Sequence, residues 1–102
     1  MNNIILNLLY KNKALDIKIF RPLIYSDLID YVIITTSRSI KHAESIKNNV
    51  LMGIKGYKLT NNFTTSGEKT DWIVIDIDNI IIHIMSKNIR EYYNIEELIT
   101  NK

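Results

Sequence analysis

The chain has no cysteine, one proline and three glycines in 102 residues. Without thiols there is neither a disulfide nor a thiolate metal site, a pattern that fits a reducing cytosol. Charge of one sign is scarce as well. Thirteen basic residues against 11 acidic leave a net charge of +2, and no basic concentration exceeds the ordinary pair Lys11 and Lys13, so general nucleic-acid binding is not advertised. No apolar run approaches the ~20 residues of a membrane span. The opening MNNIILNLLYKNK lacks a basic leading segment and a small-residue cleavage site, and Asn7 interrupts its apolar stretch, so it does not read as an export signal. The expectation is a soluble, cytoplasmic protein with no cofactor and with neither membrane nor DNA as a partner. One domain over residues 1–102 is expected, large enough to bury roughly 60–70% of its unfolded surface.

What the sequence does have is concentrated in Asp71–Met85, DWIVIDIDNIIIHIM. Two apolar runs flank Asp78–Asn79, residue types that tolerate the φ > 0 positions of a tight hairpin turn. A two-residue loop pairs Ile77 with Ile80, Ile75 with Ile82 and Ile73 with Ile84, and strand alternation places all of these isoleucines on one face. The other face carries Trp72, Val74 and Asp76 against Met85, His83 and Ile81. A strand pair apolar on both faces belongs inside a sheet covered on both sides. An indole, a carboxylate and an imidazole on the second face are not explained by that.

Around this hairpin, Ile4, Ile5, Leu8 and Leu9 predict an N-terminal helix to about Ala14. Ile17–Phe20 reads as a short strand stopped by Pro22, Ser26–Asp27 as a turn, and Tyr31–Thr36 as a β-branched central strand. Ser37 and Ser39 offer caps for a helix over Ile40–Lys55, with Ile40, Ala43, Ile46, Val50 and Ile54 inward, Lys41, Glu44, Lys47 and Asn48 outward, and Gly56 as its left-handed terminator. Tyr57–Thr64 is expected as an edge strand and Thr65–Thr70 as a loop. Ser86 caps a helix through Tyr93, and Asn94 with Glu97 signals a final capped turn to Ile99. The order gives an α/β sandwich: a mixed sheet of about five strands with helices on both faces, the stretch from Tyr31 through the helix to Tyr57 forming a crossover.

Few constellations suggest chemistry. Asp76 and Asp78 form a D-x-D that could hold a divalent cation, although Asp78 also suits a turn. Ser37-Arg38-Ser39 before a helix could receive an anion on free backbone N–H groups, with Arg38 and Lys41 assisting, but it lacks the glycine of a phosphate loop. His42 and His83 with Asp76 match no familiar metal-ligand spacing. Ser39 and His42, three apart at a helix start, suit local hydrogen bonding better than a triad. Trp72, His83, Arg90, Tyr92 and Tyr93 are of the types enriched in protein interface cores, with burial as the plainer explanation for Trp72.

Two stretches, DYVIITTSRSIKHAESI from Asp30 and DWIVIDIDNIIIHIMSKNIREYYNIEELI from Asp71, resemble the Iojap family of ribosomal silencing factors, RsfS. That family runs roughly as an aspartate and a strand, Thr-Gly-x-Ser-x-x-His at a helix start, Asp-Trp, a Val-rich hairpin ending in His, and Arg-x-x-Tyr with a Leu-Glu tail. Asp30, Thr36, Ser39, His42, Asp71, Trp72, Asp76, His83, Arg90 and Tyr93 fall on it, with Ile95 and Glu96 in conservative form. The resemblance covers about residues 16–99. Ser37 departs from it, standing where the family usually has glycine; Thr64-Thr65-Ser66 replaces a typical Val-Glu-Gly, and the N-terminal helix is short.

The resemblance implies a fold superficially like nucleotidyltransferases without their catalytic set, and a protein that is not an enzyme. It implies docking on the large ribosomal subunit against its fourteenth protein, within reach of ribosomal RNA, where the small subunit would be excluded, translation slowed or late large-subunit maturation aided. On that reading Trp72, Asp76, His83, Met85, Arg90 and Tyr93 are expected to bind the partner, with Asp30, Ser39 and His42 as secondary candidates. A homodimer off the ribosome could form through the edge near Tyr57–Thr64 or the hairpin face. Two other readings stay open: a nucleotidyltransferase-like nucleotide-binding enzyme, and a general RNA-binding module.

Overall fold

A computed structural model of the protein describes residues 2–22 and 29–100; the turn expected at Ser26–Asp27 lies outside them. The elements run α1 (Asn2–Lys11), β1 (Leu15–Phe20), β2 (Tyr31–Ser37), α2 (Ile40–Gly56), β3 (Phe63–Ser66), β4 (Trp72–Ile77), β5 (Ile80–Ser86), α3 (Lys87–Tyr93) and α4 (Ile95–Thr100). The five strands form one sheet in the order β1-β2-β5-β4-β3. β2 and β5 are parallel, and every other neighbouring pair is antiparallel. The mixed α/β sheet follows the sequence-based expectation.

The β4–β5 hairpin has the anticipated register: Ile77 opposes Ile80, Ile75 opposes Ile82 and Ile73 opposes Ile84. Asp78 adopts φ 48° at the turn, a conformation aspartate tolerates better than most residues. All of these isoleucines are buried and join Ile33 of β2, Ile5 and Leu9 of α1, and Ala43, Ile46, Val50 and Ile54 of α2 in the main core. α1 and α2 therefore cover this face. At Gly53 a side chain would run into Leu8, so the missing Cβ sets how closely α1 crosses α2.

A smaller cluster covers part of the opposite face: Val32, Ile34, Met85 and Ile99, with Trp72, Ile89 and Ile95 packed against it. It holds α3 and α4. Helices thus lie on both faces, but cover of the hairpin is incomplete on this second one, where Asp76 is exposed and Val74, Ile81 and His83 are half-buried.

The helix ends differ from expectation in an instructive way. Gly56 stays helical, and the left-handed residue is Lys58 (φ 53°). Lys58 N–H donates to the Lys55 carbonyl at 3.1 Å and Leu59 N–H to that of Ile54 at 3.0 Å, the paired bonds of a Schellman closure. Leu59 packs on the core, and that anchor fixes the stop two residues beyond the glycine. α1 ends likewise at Lys11 and not Ala14, with Lys13 at φ 61° and Ala14 N–H on the Leu9 carbonyl at 3.0 Å.

Ile40 is also displaced from its expected role. It is 49% exposed, and His42 takes the inward place; six residues at about 100° each carry Ile40 about 240° round the helix from Ile46. The edge strand lies later than Tyr57–Thr64, at Phe63–Ser66, and takes over the first part of the expected loop. The reason is pairing: Phe63 opposes Ile77 and Thr65 opposes Ile75, so only from residue 63 does alternation match β4. β3 shares the direction of β2 but lies at the far edge of the sheet, separated from it by β5 and β4. β1 begins earlier, at Leu15, through a bulge between Leu15 and Lys18 with Asp16 at φ 46°.

Candidate functional site

The second face of the hairpin gathers the rings of Trp72, His83, Tyr93 and Tyr92. Strand register puts Trp72 opposite Met85 and Val74 opposite His83, so Trp72 and His83 are diagonal neighbours. The indole N–H donates to His83 Nδ1 at 3.0 Å. His83 must therefore be unprotonated at Nδ1, and burial lowers its pKa from 6.5 to about 4. The buried ring would lack the hydration that stabilises an imidazolium in water, which is why the neutral form is held. Tyr93, at the end of α3, lies 5.0 Å from Trp72 between ring centroids, tilted by 46°. Tyr92 meets Tyr93 edge-on at 4.9 Å. Tyr93 is 49% exposed and Tyr92 80%, so the cluster runs from the core out to solvent. Asp76 continues the same face, exposed and opposite Thr64 of β3.

The entry of Trp72 into its strand is fixed by Gly67. That residue has φ 75°, and a Cβ on it would collide with the Trp72 carbonyl. At the same end of the hairpin, where β5 closes, Ser86 N–H donates to the Asp71 carbonyl at 2.9 Å. The Ser86 hydroxyl accepts from Ile89 N–H at 3.2 Å, the expected cap of α3. α3 ends at Asn94 in the left-handed conformation, and Asn94 Nδ2 donates to Glu97 at 2.7 Å. These caps place Tyr93 beside Trp72.

Two of the expected contact residues sit beneath this surface and not on it. Met85 is fully buried in the smaller core cluster, because at its register position α3 and α4 cover the sheet. Arg90 is 6% exposed. Its Nε–H and Nη2–H groups grip Glu96 at 2.8 and 3.2 Å, and Nη1 reaches the Thr36 hydroxyl and the Asp16 carbonyl. The β1 bulge turns that carbonyl toward the guanidinium. Arg90 draws the Glu96 carboxyl below its usual pKa, chiefly through their hydrogen bonds. It is the tie between α3, α4 and the sheet, which a lone arginine in a sequence does not disclose.

The secondary candidates lie elsewhere. Ser39 caps α2, accepting from His42 N–H at 3.0 Å. The His42 ring accepts from Arg38 N–H through Nδ1 at 3.0 Å, and Nε2 meets the Asn12 carbonyl at 2.9 Å, so both nitrogens serve the backbone. Because α2 covers the isoleucine face, His42 and His83 stand on opposite sides of the sheet. Asp30 is exposed and joined to the Asn79 side chain at the hairpin turn. Asp78 accepts from the Thr60 hydroxyl at 3.1 Å, so it serves the turn, apart from Asp76 on its strand face. No group of three or more metal-ligating residues occurs among the described residues.

The geometry defines an α/β domain that presents one sheet face, aromatic and partly dry, beside its own short helices. Comparison with known proteins carries this further. The family described as "Ribosomal silencing factor during starvation" matches residues 1–102. A protein named ribosomal silencing factor RsfS from Haemophilus influenzae is 34% identical over 76 residues, 72% of each chain. Its namesake from Chromobacterium violaceum is 25% identical over 73 residues, 72% of this chain and 60% of its own length. A crystal structure of a Chromobacterium violaceum protein superposes with a TM-score of 0.87 at 22% identity, covering 99% of this chain and 84% of that one. One from Bacillus halodurans gives 0.78 at 21% identity, covering 95% and 90%. The chain belongs to the RsfS family of ribosomal silencing factors.

Proposed function

We propose that the chain silences translation by docking its open hairpin face on the large ribosomal subunit, against the fourteenth large-subunit protein, and that its bulk then keeps the small subunit from joining. The observation that carries the reading is the Trp72–His83–Tyr93 cluster, half open to solvent beside exposed Asp76. Aromatic groups held rigidly by packing and a hydrogen bond lose little entropy on binding, which suits interface anchors. An exposed carboxylate at the margin could orient a basic partner. Met85 and Arg90 contribute from beneath: one supports the indole, and the other holds α3 so that Tyr93 stays in place. Silencing by exclusion needs an interface of roughly 1,200–2,000 Å² and no chemistry. A place where ribosomes work, the cytoplasm, follows from the same reading, and help in late large-subunit maturation is compatible with it.

The test is co-sedimentation with purified small subunits, large subunits, and both under joining conditions. Binding to large subunits alone, with fewer joined ribosomes as protein is added, is the expected result. Binding to neither subunit would sink the reading.

A further inference from the structure

We infer that His83 and an apolar socket beside it select the docked segment: an aliphatic side chain enters the socket, a backbone carbonyl meets His83 Nε2–H, and a neighbouring basic group meets Asp76. This rests on the docking reading and specifies the chemistry that the fourteenth large-subunit protein presents there.

Strand pairing lays the site out. On the second face Ile81 stands between Val32 of β2 and Asp76 of β4, and His83 between Ile34 and Val74. Ile29, Val32, Ile81 and His83, with Ile99 of α4, line a cavity of about 110 Å³. It lies where cover of the sheet gives out: Val32 and Ile99 are buried, whereas Ile29, Ile81 and His83 are half-buried. Four of its five lining residues are aliphatic, so a water inside would find few partners. An apolar cavity of ~150 Å³ holds benzene. This smaller one suits a single side chain of valine or leucine size.

The polar wall has a fixed sense. An indole N–H can only donate, so its bond to His83 Nδ1 requires a lone pair there, and the neutral ring carries its proton on Nε2. The two ring nitrogens point apart, so Nε2 is turned away from Trp72. Nothing accepts from it among the described residues. It is not sealed, because Ser37 Oγ is the one sealed side-chain polar atom without a partner among those residues. A half-dry donor of this kind favours a carbonyl oxygen and disfavours a cation. Asp76, beside Ile81, supplies the place for a cation. It is exposed, has neither ion pair nor hydrogen bond among the described residues, and faces Thr64 on its β3 side. Its unpaired charge is complementary to a basic residue and repels an RNA phosphate. Socket, donor and carboxylate fall within two strand spacings of about 4.8 Å each. They match a protein segment that carries an aliphatic residue next to lysine or arginine.

The test is nuclear magnetic resonance titration of the full chain, carrying ¹³C-methyl isoleucine and ¹⁵N histidine, with the purified fourteenth large-subunit protein. Saturable shifts of the Ile29, Ile81 and Ile99 methyls are expected, with slower exchange of the His83 Nε2 proton and little change at Ile73 and Ile82. In co-sedimentation with large subunits, Ile81→Phe, which fills the socket, should weaken binding about tenfold. His83→Asn keeps an acceptor near Nδ1 for Trp72 but removes the outer donor, and should also cost about tenfold. His83→Gln, whose amide reaches the Nε2 position, should restore most of the affinity, which a purely packing role for the ring would not produce. Unmoved socket methyls in the bound state, or parental affinity in both Ile81→Phe and His83→Asn, would overturn the inference while leaving large-subunit docking intact. Shifts of the same methyls on concentrating the chain alone would assign the socket to a second copy and overturn it equally. Absence of large-subunit binding by the parent chain would remove the docking reading and this inference together.

Discussion

The two faces of one hairpin make the most informative contrast in the molecule. On one, six isoleucines from Ile73 to Ile84 are buried under α1 and α2. On the other, the same strands carry Trp72, Val74, Asp76, Ile81 and His83, and only the end nearest α3 and α4 is covered. Backbone and register are shared, so the difference lies in side chains and in what packs on them. The first face has no polar atom to satisfy and gives affinity for nothing but other hydrocarbon. The second holds its polar atoms in partly dry places, which makes orientation matter. Stability is therefore expected to reside on one face and recognition on the other.

The contrast is broken most severely by Ile82→Ala. Ile82 is fully buried, and its loss should cost about 3–4 kcal/mol in denaturant unfolding. A cost below about 1 kcal/mol would show that the face is not close-packed. Next in size is the pH dependence of His83. Its pKa in the folded chain lies below the unfolded value, so its contribution is complete above 6.5 and is lost as pH falls from there to about 4. The loss should not exceed about 3 kcal/mol, and His83→Phe should flatten the stability curve over that interval. A smaller effect is expected for Ser39→Ala, about 1 kcal/mol from the lost α2 cap, with binding to large subunits unchanged. Smallest for stability is Asp76→Asn, within about 0.5 kcal/mol since the residue is exposed. That variant should nevertheless weaken large-subunit binding, and an unaltered affinity in co-sedimentation would remove Asp76 from the contact.

Much of the contrast was legible in the chain. Period-two alternation and the Asp78–Asn79 turn are enough to pair the hairpin and sort its faces, because a one-residue slip would expose every isoleucine. The serine caps at Ser39 and Ser86 were readable for the same local reason. The misreadings came where tertiary contacts decide. Gly56 looked like a helix stop, but Leu59 anchors the chain and moves the left-handed residue to Lys58. Met85 and Arg90 looked like contact residues, but which end of the face α3 and α4 cover depends on the ties of Arg90 to Glu96, Thr36 and Asp16. The last of these lies 74 residues away, beyond any local pattern.

The central claim, that the aromatic face is the one that meets the ribosome, is tested most directly by site-specific photo-crosslinking in isolated large subunits. A photoreactive phenylalanine analogue at position 93 would sit beside Trp72, and one at exposed Met52 on α2 would serve as the control. The account predicts a crosslink from position 93 to the fourteenth large-subunit protein and none from position 52. Crosslinking from position 52 alone, or none from position 93 while the protein remains bound, would contradict it.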